Sequence, residues 1–442
     1  MNRTIIKDLK EHIDEEVLIK GWVDIRRDHG KLIFIDIRDR SGLVQAVALP
    51  EHDGVLEQAE LVRSEFVIEA KGKVNKRPER MIKEGLNGDL EIEILELNII
   101  SKAQELPFDT EAELNLDTKL DYRPLNLRTA KEKAIFKVQS EILKGFREFL
   151  NNNDFTEFQA PKLIGDDAEG GANVFKVDYF KTNTAYLATS PQLYKQIMVG
   201  VYEKVYTTGN VYRAEKHSTT RHINEYTSLD LEFGFIKDHE DVMNLENQLL
   251  QAIAENLEKT CAEEFKLLEA EIPKVPDSIP KMKLKEALEL ISKETGEDCM
   301  DAPDLEPQHE RWLCEYSKTN FDSDFIFITH YPVSKRPMYT YEDENDKGYT
   351  KSFDLLFRGV EITTGGQRIH NHDELVERIK SKGLNPENFS FYLQAFKYGM
   401  PPHGGLGMGL ERLTAKLLNL SNVKEATLFP RDLNRIDTLL SK

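Results

Sequence analysis

The chain has 442 residues, 40% of them hydrophobic, and a formal charge of −19. That length predicts two or three domains, and that charge excludes a protein that coats nucleic acid indiscriminately, while leaving shaped, local recognition open. No run of about 18 apolar residues occurs and MNRTIIKDLKEHIDEE lacks the apolar centre of a signal peptide, so no membrane association is expected; Cys261, Cys299 and Cys314, without C-x-x-C spacing, fit a reducing cytoplasm with neither disulfides nor a cysteine zinc site.

In residues 1–103, "VLIKGWVDIRRDHGKLIFIDIRDRSGLVQAVALP" alternates apolar and polar residues and turns at "RDHGK" and "RDRSG". A short helical stretch follows, then "FVIEAKGKV" and "DLEIEILELNII". Three strands, a helix and two strands suit a five-stranded OB-fold barrel, and also fit any small β-barrel. Ile33, Ile35 and Ile37 point inward by alternation, so Phe34 lies among charged neighbours on the outer face. With Arg26 and Gln45 expected on adjacent strands, that face could stack an unpaired base; it could equally be a ring packed under a loop.

Residues 104–130 show no sustained period and read as a linker. A second, larger domain is expected over 131–442. It begins with Ile135, Val138, Ile142, Phe146, Phe149 and Leu150 at helical spacing, stopped by "NNND". A strand containing Pro161 suits an edge or interface. "DDAEGGANVF" is a Gly-Gly loop carrying Glu169, and "ATSPQLYKQ" ends a strand and starts a helix with Gln192 and Lys195. "VYRAEKHSTTRHINEY" then joins two strands, the second with Leu229, Leu231, Phe233 and Phe235 on one face and Ser228, Asp230 and Glu232 on the other. Residues 237–330 read as mostly helical, with a small inserted subdomain at about 255–325. "FDLLFRGVEITTGGQR" offers Asp354, Glu361, Thr364 and Arg368; oxygen ligands suit Mg²⁺, but Asp354 and Glu361 need a bulge near Gly359 to meet. The chain closes on "HGGLGMGLERLTAKLLNL", whose glycines and Arg412 could admit a flat ring and a phosphate, or simply pack a strand–helix joint. There is no P-loop and no βαβ unit around the glycines. Antiparallel strands backed by helices predict an α+β fold.

Together these pieces resemble one family. "VYRAEKHSTTRHINEYTSLDLEFGF" resembles motif 2 of class II aminoacyl-tRNA synthetases, "GLGMGLERL" their motif 3, and the segment ending "EFQAPKL" their motif 1. The N-terminal barrel, residues 1–103 with "GWVDIRRDHGKLIFIDIRDRSGLVQ", resembles the anticodon-binding OB domain of the aspartyl, asparaginyl and lysyl subgroup. "SPQLYKQ" and "FRGVEITTGGQRIH" resemble the aspartyl members, in the shorter archaeal and eukaryotic form. The resemblance implies a central antiparallel sheet flanked by helices, a homodimer, and ligation of L-aspartate to tRNA-Asp, and possibly tRNA-Asn, through ATP and Mg²⁺.

It also implies residue roles. Arg213, Ala214, Glu215, His217, Arg221, His222, Ile223, Glu361, Gly409, Leu410, Glu411 and Arg412 would hold ATP, with Arg213, Arg412 and Glu361 at the reacting phosphates. Glu169, Gln192, Leu193, Tyr194, Lys195, Arg213, Asp230, Thr364 and Arg368 would surround aspartate, Lys195 and Arg368 pairing with its side-chain carboxylate. Glu361, Thr364 and, more weakly, Asp354 would hold Mg²⁺. Arg26, Phe34 and Gln45 would meet the anticodon. The rival readings are an asparaginyl enzyme, an inactive tRNA-binding paralogue and an amide-forming ligase. Lys195, the retained arginines and the N-terminal barrel argue against them in turn.

Overall fold

The computed structural model describes residues 2–83, 87–109, 112–165, 173–180, 183–216 and 219–440. The chain divides into two compact units, Met1–Ala112 and Glu113–Lys442.

In the first unit, period-two alternation produces β1 (Glu16–Asp28), β2 (Ile33–Arg38), β3 (Leu43–Ala48), β4 (Val67–Lys76) and β5 (Leu90–Ser101), with α1 (Val55–Leu61) between β3 and β4. The strands close into a barrel in the order β1-β2-β3-β5-β4. This is the OB arrangement. Ile33, Ile35 and Ile37 are buried with Ile68, Ile92 and Ile94, and Val55 and Ala59 of α1 join that core.

The second unit opens with α2 (Leu116–Asp121) and α3 (Arg123–Asn126), inside the stretch expected to be an irregular linker. Arg123 explains the difference. Its guanidinium is buried, pairs with Glu132 at 2.7 Å, and donates to the carbonyls of Thr427 and Leu428, each at 2.7 Å. These contacts tie the short helices to the C-terminal segment.

α4 (Ala130–Asn152) follows, started by Thr129, whose hydroxyl accepts from the Glu132 amide. Next come β6 (Thr156–Glu157), β7 (Leu163–Ile164), β8 (Lys176–Tyr179), β9 (Asn183–Leu187), α5 (Gln192–Tyr202), β10 (Lys204–Tyr212) and β11 (Glu225–Gly234). α6 (His239–Thr260), α7 (Ala262–Leu267), β12 (Lys281–Lys283), α8 (Leu284–Thr295) and α9 (Pro307–Phe321) lead to β13 (Phe325–Thr329), β14 (Ser352–Phe357) and β15 (Val360–Arg368). α10 (His372–Ser381), α11 (Ser390–Lys397), β16 (His403–Gly409) and α12 (Leu410–Leu417) complete the chain.

Eight strands form one sheet in the order β12-β13-β14-β15-β16-β11-β10-β6. Its interior is antiparallel, but both edge pairings, β12 with β13 and β6 with β10, are parallel. Leu229, Leu231, Phe353, Leu355, Leu406 and Met408 bury one face against α4, α6 and α12. By alternation Asp230, Glu232 and Gly407 lie on the opposite face. β7, β8 and β9 form a separate small sheet.

Two further expectations meet the structure. The 255–325 segment, expected as a small helical insertion, carries α7, α8 and α9 and also supplies β12 to the main sheet, with α8 and α9 packed on β13 through Leu288, Leu313, Ile326 and Ile328. Phe235 is 72% exposed rather than inward, since β11 ends at Gly234 and Phe235 takes a positive φ of 60°.

Candidate active site

A cleft of about 920 Å³, counting space open to solvent, lies over β11, β15 and β16. Its inner end is made by alternation and by helix period. Asp230 and Glu232 project from β11 on the face opposite Leu229 and Leu231. Lys195 enters one helical turn after Gln192 on α5, and Arg368 ends β15.

All four charges at this end are buried. Lys195 Nζ donates to Asp230 Oδ1 at 3.0 Å and to the Leu406 carbonyl at 2.8 Å, and lies 3.3 Å from Glu232 Oε2. Arg368 Nε donates to Glu232 Oε1 at 2.8 Å, and Arg368 Nη2 to the Gly405 carbonyl at 2.9 Å. Burial pushes the Glu232 carboxyl up, but Arg368 and Lys195 hold it below the ordinary carboxylate range. Gly405 makes room for this packing: a Cβ there would stand 2.2 Å from Glu232 Oε2 and 2.1 Å from the Leu231 carbonyl. Behind the cluster, His403 Nδ1 donates to the Pro401 carbonyl at 2.9 Å, and Nε2 faces the Gln196 amide at 2.9 Å. Burial holds this imidazole neutral, its pKa down at about 4.

The outer end gathers Arg213, Glu215, Arg221, His222, Ile223, Glu361, Thr364, Gly409, Glu411 and Arg412. A bulge decides its geometry. Leu355 pairs with Thr363 and Leu356 with Glu361, so Ile362 is the extra residue. That extra residue brings Glu361 and Thr364 onto one face, where Thr364 Oγ1 donates to Glu361 Oε1 at 2.8 Å. The bulge is at Ile362, while Arg358 and Gly359 form the hairpin turn with φ of 43° and 83°. Arg412 Nη1 donates to the Glu361 carbonyl at 3.1 Å. Arg221 Nη2 pairs with Glu310 of α9, whose carboxylate also accepts from the Glu361 amide at 3.0 Å. Burial pushes the Glu310 carboxyl up, and Arg221 opposes it. His222 is pulled down by burial, against Glu215 at 3.6 Å.

The loop between β10 and β11 is braced from the C-terminus. The Val423 amide donates to the Thr220 carbonyl at 2.9 Å and the Asn224 amide to the Arg431 carbonyl at 2.7 Å. Asn224 Nδ2 in turn donates to the Arg213 carbonyl at 2.7 Å. Arg213 itself sits over the Tyr226 ring at 5.7 Å.

Several expected residues lie elsewhere. Leu193 and Tyr194 line a neighbouring recess with Phe389 and Phe391, because helical rotation turns them away from Gln192 and Lys195. Leu410 packs in the core, and the Ala214 amide donates to the Asn173 carbonyl. The Glu411 carboxylate lines the cleft but accepts the Thr227 amide at 3.0 Å, and burial raises its pKa to about 7. Glu169 and His217 lie outside the described residues. Glu232, Glu310, Ser190, Tyr226, Ser228 and Tyr339 were not anticipated as site residues. Glu232 was signalled by its period-two relation to Asp230, whereas nothing local marks Glu310.

For a cation, the donor set is partial. No group of three His, Cys, Asp or Glu among the described residues could hold a metal alone. Asp354 Oδ2 accepts from Arg336 Nη2 at 2.8 Å, while its buried Oδ1 accepts no hydrogen bond. Burial raises this carboxyl to about 6, opposed by Arg336 and reinforced by Glu361. Glu361, Thr364 and this spare oxygen fit an ion that brings phosphate oxygens with it, as Mg²⁺ does.

On the barrel, Phe34 is half-buried and meets His29 edge-on at 5.6 Å. The cation beside it is Arg27 rather than Arg26. A bulge at Asp24 shifts the register, so Arg27 faces Phe34 and Arg26 faces buried Ile35. Arg26 donates to the Ala59 carbonyl at 3.0 Å, while Arg27 holds Asp36 through two bonds of 2.8 Å and reaches Gln45 Oε1 at 3.2 Å.

The sequence matches the family of class II tRNA synthetases (D, K and N) over residues 115–433, and the OB-fold nucleic acid binding domain over 17–100. It is 47% identical to an aspartate–tRNA(Asp/Asn) ligase of Thermus thermophilus, over 98% of this chain and 99% of that protein. It is 41% identical to an aspartate–tRNA(Asp) ligase of Pyrococcus abyssi, over 96% of each. The asparaginyl-tRNA synthetase of Pyrococcus horikoshii, solved with asparaginyl-adenylate, superposes with a TM-score of 0.91 at 31% identity, over 99% of each chain.

Proposed function

The chain belongs to the class II tRNA synthetases of the D, K and N group, and on that premise we infer that it is an aspartate–tRNA ligase. It activates L-aspartate with ATP to aspartyl-adenylate and pyrophosphate, then transfers the aspartyl group to the 3′ end of tRNA. The observation that carries the choice of amino acid is the pair of buried cations at the inner end, Lys195 and Arg368, held there by Asp230 and Glu232. A side-chain carboxylate gives these cations a further anionic partner. The neutral amide of asparagine does not, and its NH2 group would face them in a dry site.

In this reading Arg368 and Lys195 take the side-chain carboxylate, and Asp230, with Gln192 and Glu169, the ammonium. Arg213 aligns the α-carboxylate with the α-phosphorus. The carboxylate is already ionised at neutral pH, so no general base is needed and the acceleration comes from alignment and charge neutralisation. Glu215 takes the adenine, and Arg221, His217 and Arg412 the outer phosphates. Mg²⁺, held by Glu361 and Thr364 with Asp354 behind them, would neutralise the polyphosphate. A homodimer formed through α4 and β6 and a cytoplasmic location complete the proposal. No helix among the described residues is long and apolar enough to cross a membrane.

The higher identity to an Asp/Asn ligase supports tRNA-Asn as a second acceptor. Side-by-side charging of tRNA-Asp and tRNA-Asn transcripts with labelled aspartate tests this. Both should accept aspartate; acceptance by tRNA-Asp alone would limit the enzyme to one tRNA, and acceptance by neither would remove the reading. Phe34→Ala should lower charging by roughly 5- to 100-fold, the equivalent of one stacked base at about 1–3 kcal/mol, and leave ATP–pyrophosphate exchange intact. Equal loss of both activities would show that Phe34 serves the fold instead.

A further inference from the structure

Arg221 enters the cleft from a loop, and α9 supplies what steadies it. Glu310 of α9 is buried and stands behind Arg221, outside the cleft lining. Its Oε2 accepts from Arg221 Nη2 and, at 3.0 Å, from the Glu361 amide. A single oxygen thus joins the β10–β11 loop to β15.

Both partners depend on it. β15 pairs with β16 only from Thr363 onward. Before that point side chains take over from the ladder: Glu310 meets the Glu361 amide, and Arg412 Nη1 meets the Glu361 carbonyl at 3.1 Å. On the loop, the Arg221 amide donates to Thr219 Oγ1 at 3.2 Å, a local contact that leaves the long side chain unfixed. Among the described residues Glu310 is the one carboxylate within ion-pair distance of Arg221.

α9 is itself fixed without help from the loop. Leu313, Cys314 and Ser317 follow Glu310 by three, four and seven residues and share its face. Leu313 and Cys314 pack with Ile326, Ile328 and Leu356, and Ser317 Oγ donates to the Phe325 carbonyl at 2.9 Å. Gly359, in the β14–β15 turn, lets the helix come close: a Cβ there would stand 2.9 Å from Arg311 Cγ and 3.5 Å from Arg311 Cα. Glu310 therefore moves with the sheet and not with the loop.

Arg221 keeps donors to spare. Nη2 is committed to Glu310, while Nε is buried with no hydrogen-bond partner among the described residues. The residue lines the cleft, so an oxygen arriving there satisfies a donor that is already in place.

We propose that Glu310 is a positioning residue for ATP: it holds the Arg221 guanidinium against β15 so that the remaining donors meet an outer phosphate. The proposal rests on the aspartate–tRNA ligase reading and adds to it a residue that touches no substrate. Because the same oxygen holds the Glu361 amide, the phosphate-binding arginine is kept in register with the strand that carries Glu361 and Thr364.

Glu310→Gln tests it in the full-length enzyme. Glutamine keeps an oxygen for the Glu361 amide and removes the charge beneath Arg221. The dissociation constant for ATP with Mg²⁺, measured by titration calorimetry, should rise roughly 3- to 10-fold, the cost of ordering one long side chain on binding. KM for ATP in aspartate-dependent pyrophosphate exchange should rise with it, while KM for aspartate stays within about twofold. Arg221→Met should weaken ATP binding at least as much. The double variant Arg221→Met/Glu310→Gln leaves neither charge stranded, and it should bind ATP within about twofold of Arg221→Met alone. Unchanged ATP affinity in Glu310→Gln, a further loss from Gln in the Arg221→Met background, or equal rises in KM for ATP and for aspartate would each overturn the proposal. Should Glu310→Gln fail to fold, the comparison of wild type, Arg221→Met and the double variant decides it. ATP binding without pyrophosphate exchange in the wild-type enzyme would instead overturn the ligase reading itself.

Discussion

The two ends of the cleft hold similar residue types in opposite environments. At the inner end the side chains of Lys195, Asp230, Glu232 and Arg368 are 0–5% exposed and paired with one another. At the outer end Arg221, Arg412, Glu215 and Glu361 are 19–36% exposed. Charges out of water interact strongly and must be matched one for one, which makes the inner end a selector. Charges near water tolerate imbalance and are screened, which suits a flexible, heavily charged polyphosphate. The difference locates specificity at the inner end and neutralisation at the outer.

The largest expected effect breaks the inner balance. Glu232→Gln keeps the shape and leaves Lys195 and Arg368 with one carboxylate between them. Removing one partner of a buried ion pair costs about 3–5 kcal/mol. The urea midpoint should fall, and KM for aspartate should rise in pyrophosphate exchange while KM for ATP holds. An unchanged midpoint together with unchanged KM for aspartate would mean that the inner end is not an interlocked unit.

Next in size is a pH effect on stability, which separates the ends by their histidines. His403 is fully buried and neutral, its pKa down at about 4 from an ordinary 6.5. Between those values the unfolded chain binds more protons than the folded one. Stability from this group is thus complete above pH 6.5 and is lost as pH falls towards 4, with a ceiling of roughly 3 kcal/mol. His239, also at about 4, adds a slope of the same sign. His403→Gln should flatten the acid limb of the urea midpoint against pH, and His222→Gln, at the half-exposed end, should flatten it less. Equal flattening by the two would erase the distinction.

The sequence carried much of this comparison, and its gaps have physical causes. The OB barrel was legible because alternation in Ile33, Ile35 and Ile37 reports burial directly. Arg26 was expected beside Phe34, but one extra residue at Asp24 exchanges the faces of everything after it and puts Arg27 opposite that ring. The opposite happened at Ile362, where a bulge joined Glu361 to Thr364. Neither bulge has a local signature. The resemblance implied Leu193 and Tyr194 beside Gln192 and Lys195, but helix α5 rotates them into the next cavity. Glu310 could not be read at all: it arrives from α9, about 90 residues after Arg221, and only the sheet order brings the two together.

The smallest expected effect tests the outer end. Arg412 is 27% exposed and meets Glu361, at 3.1 Å to the carbonyl and 4.0 Å to the carboxylate. Its removal leaves no buried charge stranded, so Arg412→Met should barely move the urea midpoint. What it removes is a charge-assisted contact to phosphate, about 1.5–3 kcal/mol, or roughly 10- to 100-fold in kcat/KM for ATP. Because the group is near solvent, that contribution should shrink as ionic strength rises and the Debye length falls below about 10 Å. The ratio of wild-type to Arg412→Met activity should therefore decline between low and high salt, while the corresponding ratio for Glu232→Gln stays level. A salt-independent Arg412 effect would place this arginine in the same desolvated class as Arg368, and the outer end would then select its substrate as the inner end does.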